Sequence, residues 1–143
     1  MISQLLIFLF VWFSSFFIHE LMHCLEAWRQ GAEHVGIYPE FSPVPTMYMQ
    51  YNGDYIPNPV MVHFAGGIYT SIICFFFAFF TSGIYQFCFL TLGWVQLCYG
   101  IFEGFFIGRM SQRWYTIIRY SLYVGVVLVC FYLFYPLVVF YGR

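Results

Sequence analysis

At 143 residues the chain is 62% hydrophobic and 26% aromatic but only 8% charged, with a formal net charge of -1. Average globular usage is about 45–50% apolar and about 25% charged, so a soluble domain of this length has no interior large enough to hide this apolar surface; the composition reads as one all-α, multi-pass membrane domain over residues 1–143. The near-zero charge and the lack of any basic run exclude nucleic acid as a partner, and the lipid bilayer is the implied surrounding. Cys24, Cys74, Cys88, Cys98 and Cys130 stand singly in apolar segments with no CxxC pair, which excludes a disulfide framework or a thiolate metal site.

Spanning helices need about 20 apolar residues, and four segments qualify: Ile2 to Trp28, Val60 to Phe80, Tyr85 to Gly108, and Tyr120 to Tyr141. The first lacks a basic leader and a small-residue cleavage site, and its apolar run continues into "IHELMH", so it reads as a mature helix rather than a signal peptide. The only long polar stretch, 29–58, holds "PEFSPVP" and then "TMYMQYNGDYI". Its Asn52-Gly53 pair between β-prone residues is a two-residue hairpin signal, which predicts a small β-ribbon at the membrane surface. Arg29, Arg109, Arg113 and Arg119 fall on one side of a four-helix zigzag and Arg143 on the other. The positive-inside rule then puts the ribbon and the 109–119 loop on the cytosolic side and both termini opposite, with Trp28, Trp114 and Tyr115 as interfacial aromatics.

The first helix carries the chemistry. His19 and His23 are spaced i, i+4 with Glu20 beside them, so both imidazoles share one helix face and can grip a single cation, in the arrangement HExxH. Zinc takes nitrogen ligands of this kind and, in catalytic sites, keeps a position open for water while a carboxylate serves as general base. Ionisable groups inside an apolar span are costly, which argues against idle histidines. A third ligand has to come from elsewhere. Glu26 lies too far along the same helix and pairs more naturally with Arg29; Glu33, Glu40 and Asp54 sit in the polar loop; Glu103 is the sole acid inside the third span. Depth separates these candidates. His23 lies six residues before Arg29 and Glu103 six before Arg109, so at 1.5 Å per residue both sit about 9 Å inside the cytosolic boundary. Gly100, Gly104 and Gly108 repeat at GxxxG spacing around Glu103 and are expected to let the first helix approach closely. His63, at the start of the second span, reads as interfacial rather than as a ligand.

"HELMHCLEAWRQG" resembles the HExxH helix of the site-2 protease family of intramembrane metalloproteases. "FAGGIYTS" is similar to that family's second-helix pattern, and "YGIFEGFF" aligns with its third-helix Asp-Gly motif, with Glu103 in place of the aspartate and Gly104 as the glycine. The resemblance covers residues 1–110, a three-helix core, and leaves residues 111–143 as an additional helix. Gly67 stands where the family usually has proline, Thr70 where it often has a substrate-steadying asparagine, and Val95 and Gln96 near the place of another asparagine. The resemblance implies an intramembrane zinc endopeptidase: Zn2+ held by His19, His23 and Glu103, Glu20 as base, and a transmembrane protein as substrate. It also implies substrate contacts from Thr70 and from the ribbon at Met47, Tyr48 and Met49, which receive an extended segment by strand addition. A membrane protein that grips transmembrane segments without cutting them is the rival reading. A diiron hydroxylase lacks ligands, because His34 and His63 are the only other histidines and neither lies in a second such cluster.

Overall fold

The computed structural model describes residues 2–40, 46–52, 56–107 and 109–141. Among these residues the elements are α1 (Ile2–Arg29), β1 (Glu33–Glu40), β2 (Thr46–Asn52), α2 (Pro59–Phe80), α3 (Gly83–Phe106) and α4 (Gln112–Tyr141). By length and composition α2, α3 and the stretch Arg113–Pro136 of α4 are able to cross a membrane. Large apolar side chains on their outer faces, among them Phe79, Val124, Leu128 and Tyr132, are exposed, as suits a surface solvated by lipid.

Helix α1 ends where the sequence changes character. Gly31 takes a φ of +95°, and the Ala32 amide returns to the Ala27 carbonyl at 3.0 Å, a C-terminal cap whose left-handed backbone favours glycine. The ribbon follows at once. β1 and β2 pair antiparallel with Ile37 opposite Met49 and Tyr38 opposite Tyr48, and the register shifts between Glu33 and Gly36. A ribbon is therefore present, but its turn is not at Asn52-Gly53: Asn52 pairs with Glu33 at the open end and the strands connect through residues 41–45, because the strand partner of β2 precedes it in the chain rather than following the Asn-Gly pair. Residues 41–45 and 53–55, Asp54 among them, lie outside the described residues. Both strands pack on α1, and Val35, Met49 and Ile56 close over a small apolar core of Ala27, Ala32 and Val62.

Helix α2 begins at Pro59 with Asn58 as its cap, the Asn58 side chain accepting from the Met61 amide at 3.0 Å; a proline at the first turn loses nothing, since its missing N–H has no helical partner there. The side chain of Gln30 ties this start to the end of α1, accepting from the Asn58 amide at 2.8 Å and donating to the Asn58 carbonyl at 3.2 Å. Glu26, 2% exposed, accepts from Gln30 at 2.8 Å and from Arg29 at 2.8 and 2.6 Å, the pairing expected from its spacing. The C-terminal end of α1 and the entry to α2 thus form one clamp.

The closest helix pair is α2 with α3. A methyl group added at Gly67 would collide with the backbone of Gly100, and one at Gly104 would meet the Phe64 ring at 2.6 Å. These contacts run antiparallel, and they correct the expectation that the glycine face of α3 admits α1: it is α2 that lies in it. The physical reason is the matching small residue, because Gly67 supplies the second half of a close crossing that no α1 residue at this level offers.

Arg113 and Arg119, expected in a loop, lie in α4, which starts eight residues before the apolar run does. Aromatic packing carries the helix back to that point: Tyr115 stacks on Phe102 at 5.3 Å and Tyr123 lies 5.1 Å from Tyr99. The Arg119 guanidinium sits 6.0 Å over Tyr99 and 5.3 Å over Tyr120, a cation resting on π faces.

Candidate metal centre

The centre lies where α1, α2 and α3 meet. Ser15 and His19 face Gln96, and His19 and His23 face Glu103, so α1 and α3 run parallel and in step. The Nε2 atoms of His19 and His23 are 2.9 Å apart. Glu103 Oε2 lies 3.1 Å from the first and 3.3 Å from the second. All three side chains are buried.

The outer ring nitrogens decide what these inner atoms are. His23 Nδ1 is 2.6 Å from the Val62 carbonyl, which only accepts, so Nδ1 carries the proton and donates. For His19 the acceptor is set by a chain of side chains. The Ser15 hydroxyl donates to the Trp12 carbonyl at 2.7 Å, which leaves its oxygen to accept from Gln96 Nε2 at 3.2 Å. Gln96 Oε1 then faces His19 Nδ1 at 2.7 Å and accepts its proton. With both Nδ1 atoms protonated, each neutral imidazole turns a bare lone pair inward. Two such lone pairs and a carboxylate oxygen meet at about 3 Å in a buried space, where a metal cation, or a proton on one Nε2, relieves their mutual repulsion.

The residues fit a metal ion. Bonds of about 2.0–2.1 Å in tetrahedral array set ligands roughly 3.3 Å apart, close to the observed 2.9, 3.1 and 3.3 Å. Two imidazoles and a carboxylate are a donor set suited to zinc, and histidine ligands oriented through Nδ1 by carbonyl acceptors are the usual outer arrangement of such sites. Glu20 lies beside the cluster without being needed to complete it: donor atoms of His19, Glu20 and His23 all fall within 4.8 Å of one another. The Glu20 carboxylate is also within hydrogen-bonding reach of the Met49 main chain in β2.

Two features of α2 shape the space around the donors. A Cβ at Gly66 would collide with the His23 imidazole, so a bare backbone is required there. One turn further along α2, Thr70 is fully buried and its hydroxyl has no partner among the described residues; it does not bond its own helix backbone. Ribbon residues Met47 and Tyr48 pair with Pro39 and Tyr38. The Tyr99 ring stacks on His19 at 5.1 Å and its hydroxyl meets that of Tyr115 at 3.1 Å, which ties α4 to the centre.

Sequence reasoning passed over three participants. In the sequence Gln96 stands out only as a departure from a family pattern, Ser15 carries no signal, and His63 reads as interfacial although its ring lies 6.3 Å from that of His23. The spacing Glu103 minus seven is two helical turns and puts Gln96 on the same face of α3, a signal that was available. Comparison with protein-family models, with curated proteins and with solved structures returns no match.

Proposed function

We propose that the chain is a four-span intramembrane zinc metalloprotease of the site-2 protease kind, hydrolysing a peptide bond in or beside a transmembrane segment of a membrane-protein substrate. The observation that carries this reading is the meeting of His19 Nε2, His23 Nε2 and Glu103 Oε2 within 3.3 Å of one another, with both Nδ1 protons committed elsewhere. In this reading α1 is the fourth crossing: its 28 residues extend about 42 Å. The clamp of Glu26, Arg29 and Gln30 marks its cytosolic boundary, and both termini lie on the far side.

His19, His23 and Glu103 hold the ion. When bound, zinc supplies Lewis acidity to a water and to the scissile carbonyl. Glu20 takes a proton from the attacking water at its carboxylate and delivers it to the leaving nitrogen as the water oxygen bonds to the carbonyl carbon and the C–N bond breaks. Gln96 and the Val62 carbonyl keep the two imidazoles in the tautomer that presents Nε2 inward. The ribbon receives the unwound substrate as an added strand along Met47, Tyr48 and Met49, a role supported by the nearness of the Met49 main chain to Glu20. Thr70, buried and unpartnered, is a hydrogen-bond donor for substrate.

The test uses the full chain purified in detergent. Metal analysis returns one zinc per chain, a panel of transmembrane peptides is cleaved, and Glu20→Gln abolishes cleavage with the zinc retained. Bound zinc without cleavage of any peptide replaces this reading with the non-catalytic binder, and no bound metal discards both.

A further inference from the structure

Gly66 gives α2 a gap opposite the metal-facing edge of His23. Side chains at i−3 and i+4 share a helix face with position i, so this gap is bordered by His63 on the ribbon side and by Thr70 on the deep side. His63 is four residues from the start of α2 at Pro59, about 6 Å along the helix. Its ring meets His23 edge to face at 6.3 Å. It is only partly buried, Glu103 and His23 act on it electrostatically, and it hydrogen bonds no other described residue. An imidazole held against His23 near the start of α2, with its own N–H uncommitted among the described residues, is a donor waiting for an acceptor.

Resting on the protease reading above, we infer that His63 is a further catalytic residue, donating a hydrogen bond to the carbonyl oxygen of the scissile peptide as that oxygen gains negative charge. A neutral imidazole has one N–H to give, and donors aimed at a developing oxyanion in a water-poor site carry a large share of hydrolytic catalysis. Glu20 on α1 and His63 on α2 then attend to opposite ends of the same event, one moving the proton and the other holding the oxygen. The donor set is already complete without His63, which separates its role from that of a ligand.

The inference is tested with a peptidyl phosphinate, whose tetrahedral anionic group imitates the oxyanion, titrated into detergent-solubilised full-length protein. His63→Ala is expected to keep the wild-type zinc content and to weaken phosphinate binding by about 10- to 100-fold; His63→Gln, which restores an N–H donor, is expected to recover most of that loss. Unchanged phosphinate affinity in His63→Ala overturns the assignment, as does a fall in zinc content, which would make His63 a ligand instead. Wild-type protein that binds no zinc, or phosphinate binding indifferent to His19→Ala, refutes the protease reading itself rather than the role of His63 alone.

Discussion

Replacing Gln96 with leucine isolates the outer hydrogen bond of His19 with little change in volume. Gln96 is 1% exposed. Its carbonyl oxygen lies 2.7 Å from His19 Nδ1, and its amide donates to Ser15 at 3.2 Å. Leucine fills the space but leaves the Nδ1 proton without an acceptor, at a cost of about 1–3 kcal/mol for an unsatisfied buried donor. The imidazole is then free to rotate or to move its proton to Nε2, where it would block the metal. Loss of an orienting partner of this type lowers metal affinity by about 10- to 100-fold, or about 1.4–2.7 kcal/mol. Gln96→Asn, one methylene shorter, is expected to fall between leucine and wild type. Ser15→Ala removes only the bond that orients the amide, so its effect is smaller, and added to Gln96→Leu it costs nothing more, because both act through one chain of hydrogen bonds. Zinc affinity measured by competition with a chromophoric chelator in detergent gives the answer. An affinity for Gln96→Leu within about twofold of wild type would refute the tautomer argument.

Glu103→Ala removes one of three donors and should lower zinc affinity by more than 100-fold, well beyond the effect of losing an orienting partner; full retention of zinc by competition titration would oblige reassignment of the third ligand. Gly67→Ala puts a methyl group into the Gly100 backbone, where neither helix can give by a side-chain rotation. A loss of about 1–3 kcal/mol is expected, read as a lower melting temperature and, since α2 also carries Val62 and Gly66, weaker metal binding; unchanged melting would mean the crossing is not as close as described.

Much of this protein is written locally. The membrane class follows from composition, and the helix limits of α2 and α3 fall within two residues of the apolar runs that predict them. The i, i+4 histidines need only helical geometry to share a face, whereas Asn52-Gly53, which reads as a hairpin turn, falls at the open end of the ribbon, away from the β1–β2 connection. The level that Glu103 shares with His23 is legible as well, since each stands six residues before an arginine at or just past the end of its helix.

Other features were decided only when the helices packed. Which helix lies against the glycines of α3, where α4 begins, what supports each imidazole and how near His63 comes to His23 all depend on the rotation of each helix about its axis. In a soluble protein a polar stripe reveals that rotation. Here nearly every face is apolar, lipid solvates the outer surface as readily as protein fills the inner one, and the choice falls to close packing of small residues and a few buried hydrogen bonds. Those interactions join residues as far apart as Ser15 and Gln96, so no stretch of sequence contains them.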